Sequence, residues 1–404
     1  METRKTFQYR LYPTTAQVAA LDVILWRCRD LYNAGLQERQ EAWRLAHKSL
    51  SCFEQINELP ALKAVCPEYK AVPSQVLQDT LRRLDKAFAA FFRRVKAGQT
   101  PGFPRYQSRS RYTSFTYPSA QNWRRDGDRL VLTGIGAVKI RLHRPLTGTI
   151  KTVTIRRDGD QWYVSFSCVL PVDPLPANDQ AVGVDLGLLH FATLSTGEQI
   201  ANPRYLRRAL AKLATAQQHL ARCKRGSHRR NRAKACVTRL HRQVRNQRGD
   251  FLHQQSRRLV DRYGTIVFED LAIVNLTKRP APKVDDAASA EAGEPVYAPN
   301  GAAAKAGLNK SILDAGWGQF TQLCTVKAAW AGRQVLFVDP KFTSQLCSQC
   351  GAIHKKTLAE RWHSCACGCE LDRDHNAAIN ILRRGTRLQD GTVQAVSPVE
   401  APGL

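Results

Sequence analysis

Acidic side chains are scarce in this 404-residue chain: 34 Asp and Glu stand against 61 Lys and Arg, a formal net charge of +27. Nothing in folding asks for that imbalance, which costs self-repulsion in the compact state, and the usual compensation is a polyanion. Long apolar runs are missing as well. No stretch reaches the eighteen or so apolar residues of a membrane-spanning helix. The N-terminal METRKTFQYRLYP lacks the apolar core of a signal peptide, so a cytoplasmic location is expected. With no amphipathic anchor or lipidation signal, the expected polyanion is nucleic acid and not a membrane.

Twelve cysteines would suit a disulfide scaffold in a small secreted protein, but this chain is long and carries no secretion signal. Seven are scattered and read as ordinary thiols; five cluster at Cys347, Cys350, Cys365, Cys367 and Cys369. Cys347-Ser-Gln-Cys350-Gly351 has the form of a metal knuckle. Paired with a second one fourteen residues on, it suits a tetrahedral four-sulfur zinc site. The second pair is ambiguous. Cys367-Gly368 repeats the Cys-Gly of the first knuckle and favours Cys365 with Cys367, leaving Cys369 as a substitute and His354 and His363 as weaker candidates. A closed four-sulfur site has no open position, so such a zinc is structural.

Along the chain, RKTFQYR reads as a strand ended by Pro13, and Thr14 or Thr15 can cap a helix with Val18, Leu21, Leu25, Tyr32 and Leu36 on one stripe. After Pro73, the residues Leu77, Leu81, Leu84, Phe88, Phe91 and Val95 form a second stripe, with Gly98 as a stop. Between about 111 and 170 the period becomes two. RYTSFTYP, RLVLTGIGAVKIRL, GTIKTVTIRR and QWYVSFSCVL read as strands of a barrel-like unit that the N-terminal strand completes around the helical insertion. The proline-rich PVDPLPANDQ is a linker. From Arg204 to Arg262 there are 18 Lys and Arg and 2 acids in a helix-compatible background; a solvated helical face normally mixes both signs, so this one is expected to lie along phosphates. The Ala-, Pro- and Gly-rich 278–307 is expected to be a flexible loop.

Three acids share one setting. Asp185 sits amid Val182, Val184 and Leu186, Glu269 ends the run Ile266-Val267-Phe268, and Asp374 stands where a helix should begin. An isolated carboxylate in an apolar run is expensive to desolvate. Singly, each has an ordinary explanation: a turn residue before Gly187, a strand-end acid in solvent, a helix N-cap. Together, in a polycationic chain, they point to convergent carboxylates holding two Mg²⁺ ions about 4 Å apart for phosphodiester hydrolysis. Asp270 and Asp372 are lesser neighbours, the latter a possible helix cap or partner of Arg373.

In the segments FQYRLYPTTAQ, GVDLGLLHFATLS, IVFEDLAI, LDAGWGQF, VDPKFTSQLCSQCG and LDRDHNAAINIL, the chain resembles the OrfB/TnpB family of insertion-sequence proteins, relatives of type V CRISPR effectors. That resemblance implies an α/β multidomain architecture: an RNase H-like (RuvC) nuclease domain with an inserted zinc ribbon, and a β-barrel wedge domain interrupted by a helical recognition lobe. The segments would be wedge 1–13 and 111–172, recognition lobe 14–110, nuclease 173–340 and 371–388, ribbon 341–370, and a disordered tail 389–404. It further implies that Asp185, Glu269 and Asp374 are the catalytic Mg²⁺ ligands, that the second knuckle departs from the common two-residue spacing, and that the partners are a guide noncoding RNA and a double-stranded and single-stranded DNA target. The competing expectations are a transposase that joins DNA ends with the same acids, and a guided DNA-binding protein that does not cut.

Overall fold

A computed structural model describes residues 2–357 and 359–389. β1 (Glu2–Tyr12) stops at Pro13, which has no N–H to give a ladder. Thr14 then caps α1 (Thr15–Ala46): its Oγ1 accepts from the Gln17 N–H, and its own N–H donates back to Gln17 Oε1. α1 buries Leu21, Ile24, Leu25, Cys28, Leu31, Tyr32 and Leu36. Two short helices, α2 (Cys52–Asn57) and α3 (Leu59–Val65), lead to α4 (Ser74–Lys96). The stripe expected along α4 is buried only in its first half. Leu77, Leu81 and Leu84 are in the core, whereas Val95 is 49% exposed.

The chain then returns to strands: β2 (Ser114–Tyr117), β3 (Trp123–Asp126), β4 (Arg129–Leu132), β5 (Gly136–Arg141), β6 (Thr149–Asp158) and β7 (Gln161–Pro171). RLVLTGIGAVKIRL is not one strand but the β4–β5 hairpin, turning at Gly134, whose φ of +84° favours glycine. β3 has no alternation to betray it, because WRRD is exposed beyond its tryptophan. β1 lies between β7 and β5, with Phe7 opposite Phe166, so the N-terminal strand does complete this sheet. The antiparallel order β2-β6-β7-β1-β5-β4-β3 leaves β2 and β3 as edges. The ladder is therefore open where a barrel would close, and Tyr117 Oη donates to the Thr133 carbonyl at 3.1 Å. All of this belongs to the first of two units, Met1–Val172; the second is Asp173–Leu404.

The second unit is built on a five-stranded sheet. β8 (Ala181–Leu186), β9 (His190–Leu194) and β10 (Gln199–Ala201) form an antiparallel meander, while β11 (Thr265–Glu269) joins the other side of β8 in parallel. Between β10 and β11 runs the basic hairpin α5 (Tyr205–Arg222) and α6 (His228–Arg262). Asp314 anchors it: both its carboxylate oxygens accept from the Leu206 N–H at 3.1 and 3.0 Å, and Oδ1 accepts from Arg248 Nη2 at 3.0 Å. After β11 come α7 (Ile273–Leu276), β12 (Lys283–Val284), α8 (Asp286–Ala292), β13 (Tyr297–Ala298), α9 (Ala302–Ala315) and α10 (Trp317–Ala331). The stretch 278–307 is thus not a featureless loop. Asp285 caps α8 and β12 pairs with β13. β14 (Gln334–Val338) then pairs in parallel with β11; β15 (Trp362–Ser364) and β16 (Glu370–Asp372) form a small hairpin, and α11 (Arg373–Gln389) follows. The tail expected to be disordered lies, from 390 onward, outside the described residues. No described helix is long and apolar enough to cross a membrane.

Strand alternation sorts the sheet's two faces. Val182, Val184, Leu186, Ile266 and Phe268 join a core with Leu252, Leu259 and Phe320. Gly183, Asp185, Val267 and Glu269 take the opposite face, which α11 covers. A Cβ on Gly183 would stand 2.1 Å from the Ala378 carbonyl oxygen, and one on Gly385 would stand 2.4 Å from Val267 Cγ2. Helix and sheet therefore meet at a distance that only hydrogen at these positions allows. Gly183→Ala is expected to cost about 3 kcal/mol by overpacking. Equilibrium urea unfolding checks it, and an unchanged midpoint would show that the helix can simply move away.

Candidate active site and cysteine cluster

β8 and β11 are parallel and adjacent, with Phe268 opposite Val184, so Asp185 and Glu269 emerge side by side at the same ends of neighbouring strands. α11 runs over β8 with its N-terminus toward that end. Asp374 lies in its first turn, and its Oδ2 is 3.9 Å from where a Cβ on Gly187 would sit. The three acids named from the sequence are thus gathered by two strand ends and one helix start. Each is half-buried. Among the described residues no hydrogen-bond donor reaches the Asp185 carboxylate, and its pKa is raised well above the usual range, first by burial and then by Glu269 and Asp374. Glu269 is also raised, chiefly by burial, although the Thr343 hydroxyl donates to its Oε1 and Arg384 pulls the other way. Asp372 is the helix cap: its Oδ1 accepts from the N–H groups of Asp374 (2.9 Å) and His375 (3.2 Å). Asp270 is exposed. The three carboxylates do not converge into one 4.8 Å ligand group as the thiols do.

Cys347, Cys350, Cys365 and Cys367 do converge, with their sulfurs all within 4.8 Å of one another. Two of the sulfur–sulfur distances, Cys347–Cys367 at 3.7 Å and Cys350–Cys365 at 3.5 Å, are near the roughly 3.8 Å edge of a tetrahedron with 2.3 Å metal–sulfur bonds. Each knuckle turns on a glycine with positive φ, Gly351 at +80° and Gly368 at +83°. Burial pushes the Cys347 thiol up, but the N–H groups of Cys350 and Gln349, with His363 and Cys367, bring it down to about 5. A second buried trio, Cys347, His363 and Cys369, also lies within 4.8 Å, and Lys356 Nζ contacts His363 Nδ1. His354 Nε2 is 3.1 Å from Cys365 Sγ. Four sulfurs on two knuckles form a complete soft-metal donor set, so the cluster fits a zinc ion.

Residues that sequence reasoning passed over tie the two centres together. Asn376 accepts from the Ser348 N–H (2.9 Å) and donates to the Leu346 carbonyl (2.8 Å); Asn380, one turn on, donates to the carbonyls of Thr343 (2.9 Å) and Leu346 (2.6 Å). Both are fully buried. Two asparagines four residues apart in an alanine-rich helix were the available signal, since buried amides must find partners.

Three family models match the chain: OrfB_IS605, "Probable transposase", over 162–279; the Cas12f1-like TNB domain over 317–381; and the OrfB_IS605 "Helix-turn-helix domain" over 1–48. A Streptomyces pristinaespiralis protein named "Putative RNA-guided DNA endonuclease" is 36% identical over 95% of this chain and 90% of its own length. The chain belongs to the OrfB/TnpB family. A second member, "Putative RNA-guided DNA endonuclease InsQ" of Escherichia coli K12, is 31% identical over 95% of this chain and 93% of its own length. The family's fold extends to the protein of a Cas12f1–sgRNA–target DNA complex seen by cryo-EM: TM-score 0.53, 11% identity, 94% of this chain and 98% of that one covered. In this OrfB/TnpB chain the residues matched as helix-turn-helix form β1 and the single helix α1.

Proposed function

We propose that this OrfB/TnpB chain is an RNA-guided DNA endonuclease whose RuvC-type, RNase H-like unit hydrolyses phosphodiester bonds with Asp185, Glu269 and Asp374 as ligands of two Mg²⁺ ions. Cys347, Cys350, Cys365 and Cys367 hold one structural zinc in a ribbon. The observation that carries the reading is the Asp185 carboxylate, desolvated on the sheet face that α11 covers, with no hydrogen-bond donor among the described residues and pressed by two further acids. Such a group is tolerable chiefly as a cation ligand. Bound Mg²⁺ would supply Lewis-acid stabilisation of the charge developing on the phosphate. The chain's own side chains do the positioning. Thr343 fixes one oxygen of Glu269, Asp372 locks the first turn of α11, and Asn376 and Asn380 hold that helix to the first knuckle. The names of the relatives support a guide RNA and a DNA target as partners.

The test is reconstitution. Protein loaded with RNA from the element's end should cut a plasmid carrying the complementary target and should stay inactive with a scrambled guide; joined element ends instead of cut targets would favour the transposase reading. The basic hairpin makes a separate prediction. α5 buries only Leu213, so most of its cations face solvent. Replacing Arg207, Arg208 and Lys212 with Gln should weaken RNA binding and reduce the log Kd against log salt slope by about two to three. An unchanged slope would remove those residues from the interface.

A further inference from the structure

Arg373 stands between the two centres and has no part in the mechanism above. Its N–H donates to the Arg361 carbonyl (2.8 Å) and its Nη1 to the Glu360 carbonyl (3.2 Å), which ties it to the ribbon. The other side of the guanidinium faces the acids. Nε and Nη2 both approach Asp374 Oδ1, each at 3.4 Å, with the two side chains only 15% and 13% exposed. Arg–carboxylate pairs that hold a structure together usually close to about 2.7–2.9 Å and engage both oxygens. This one is long, uses a single oxygen, and leaves Oδ2 directed toward Gly187 at the end of β8. The same guanidinium acts on Asp185, where its positive charge opposes the push of Glu269 and Asp374. A cation with this loose geometry already occupies part of the field that a metal ion would fill.

We propose that Arg373 is the resident counter-ion of the carboxylate cluster, and that a divalent cation loads the site by displacing its guanidinium from Asp374, so that Arg373 sets the metal concentration at which the site fills. The inference rests on the three acids forming the metal site. Without metal, Arg373 keeps the acids from driving the helix start off the strand ends. With metal, it becomes a like charge beside the ion.

The test is direct Mn²⁺ binding, read as loss of the free-ion electron paramagnetic resonance signal. It uses full-length protein purified with zinc, without RNA or DNA, as wild type, Arg373→Gln, Arg373→Lys and Asp185→Asn. Removing the competing charge should tighten Mn²⁺ binding by about tenfold in Arg373→Gln. Arg373→Lys, which keeps the charge but loses the two-sided strap, should stay close to wild type. The metal-free melting temperature should fall in Arg373→Gln and recover when Mn²⁺ is added. Arg373→Met, which keeps the apolar stem, replaces the Gln variant if that variant does not fold. Unchanged or weaker binding in Arg373→Gln overturns the proposal, and so does a Lys variant that behaves like Gln, which would make Arg373 a strap and no more. Asp185→Asn separates the two levels. If that variant binds Mn²⁺ like wild type, the acids are not the metal site; if binding depends on Asp185 but ignores Arg373, only the counter-ion role is lost.

Discussion

Asp185→Asn is expected to abolish guided cleavage, by on the order of a thousandfold or more, while making the metal-free protein more stable. The two effects share one cause. Burial and the neighbouring Glu269 and Asp374 make ionised Asp185 costly in the folded state, as its raised pKa records. Asparagine keeps the shape and drops the charge, which should return about 1–2 kcal/mol. The sign gives a pH arm. A carboxylate whose folded pKa is raised costs the fold nothing below its ordinary pKa of about 3.9 and increasingly more as pH rises from there toward the folded value. Metal-free wild type and Asp185→Asn should therefore melt together near pH 4 and separate toward neutrality, with the variant higher. Saturating Mg²⁺ should reverse the order at neutral pH. Melting curves with and without chelator decide it; a variant less stable at every pH would mean that the carboxylate is structural.

Cys347→Ser is expected to release the ribbon's metal and to lower cleavage by on the order of a hundredfold, although Cys347 touches no substrate in this scheme. Its sulfur is buried and belongs to both thiol groups, and Asn376 grips the adjacent Ser348. A collapsed knuckle would leave two buried amides of α11 unpaired and loosen the turn that presents Asp374. Cys367→Ser should show the same losses, whereas Cys369→Ser should keep both metal and activity within about twofold, because only the former belongs to the four-sulfur set. Metal content, limited proteolysis between 341 and 370, and cleavage rate read the three variants. Metal lost from Cys369→Ser but retained by Cys367→Ser would assign the ion to the buried trio with His363.

How far the sequence carried differs by residue. Asp185 and Glu269 were legible because an acid inside a Val- and Ile-rich strand contradicts its surroundings, and the cysteines were legible because ligand spacing is local. Arg373, Thr343, Asn376 and Asn380 were not, because what they touch is set by the fold: Thr343 lies 74 residues from Glu269, and Asn376 lies 30 from Leu346. Val95 followed helical period yet faces outward, since amphipathic spacing cannot say where the partner surface stops. The composition of 278–307 suggested no structure, but an Asp285 cap and a two-residue strand pair were enough to shape it.

The close seat of α11 against Gly183 also has a consequence for how the molecule comes into being. Synthesis runs from the N-terminus, so a nascent chain that has reached β14 holds Asp185 and Glu269 and a sheet face that α11 does not yet cover, and in the proposed reading its site is incomplete. The emergence of α11 brings Asp374 and covers that face in the same event. If the three acids form the metal site, a product truncated before α11 is expected to be inert, and cleavage to require α11.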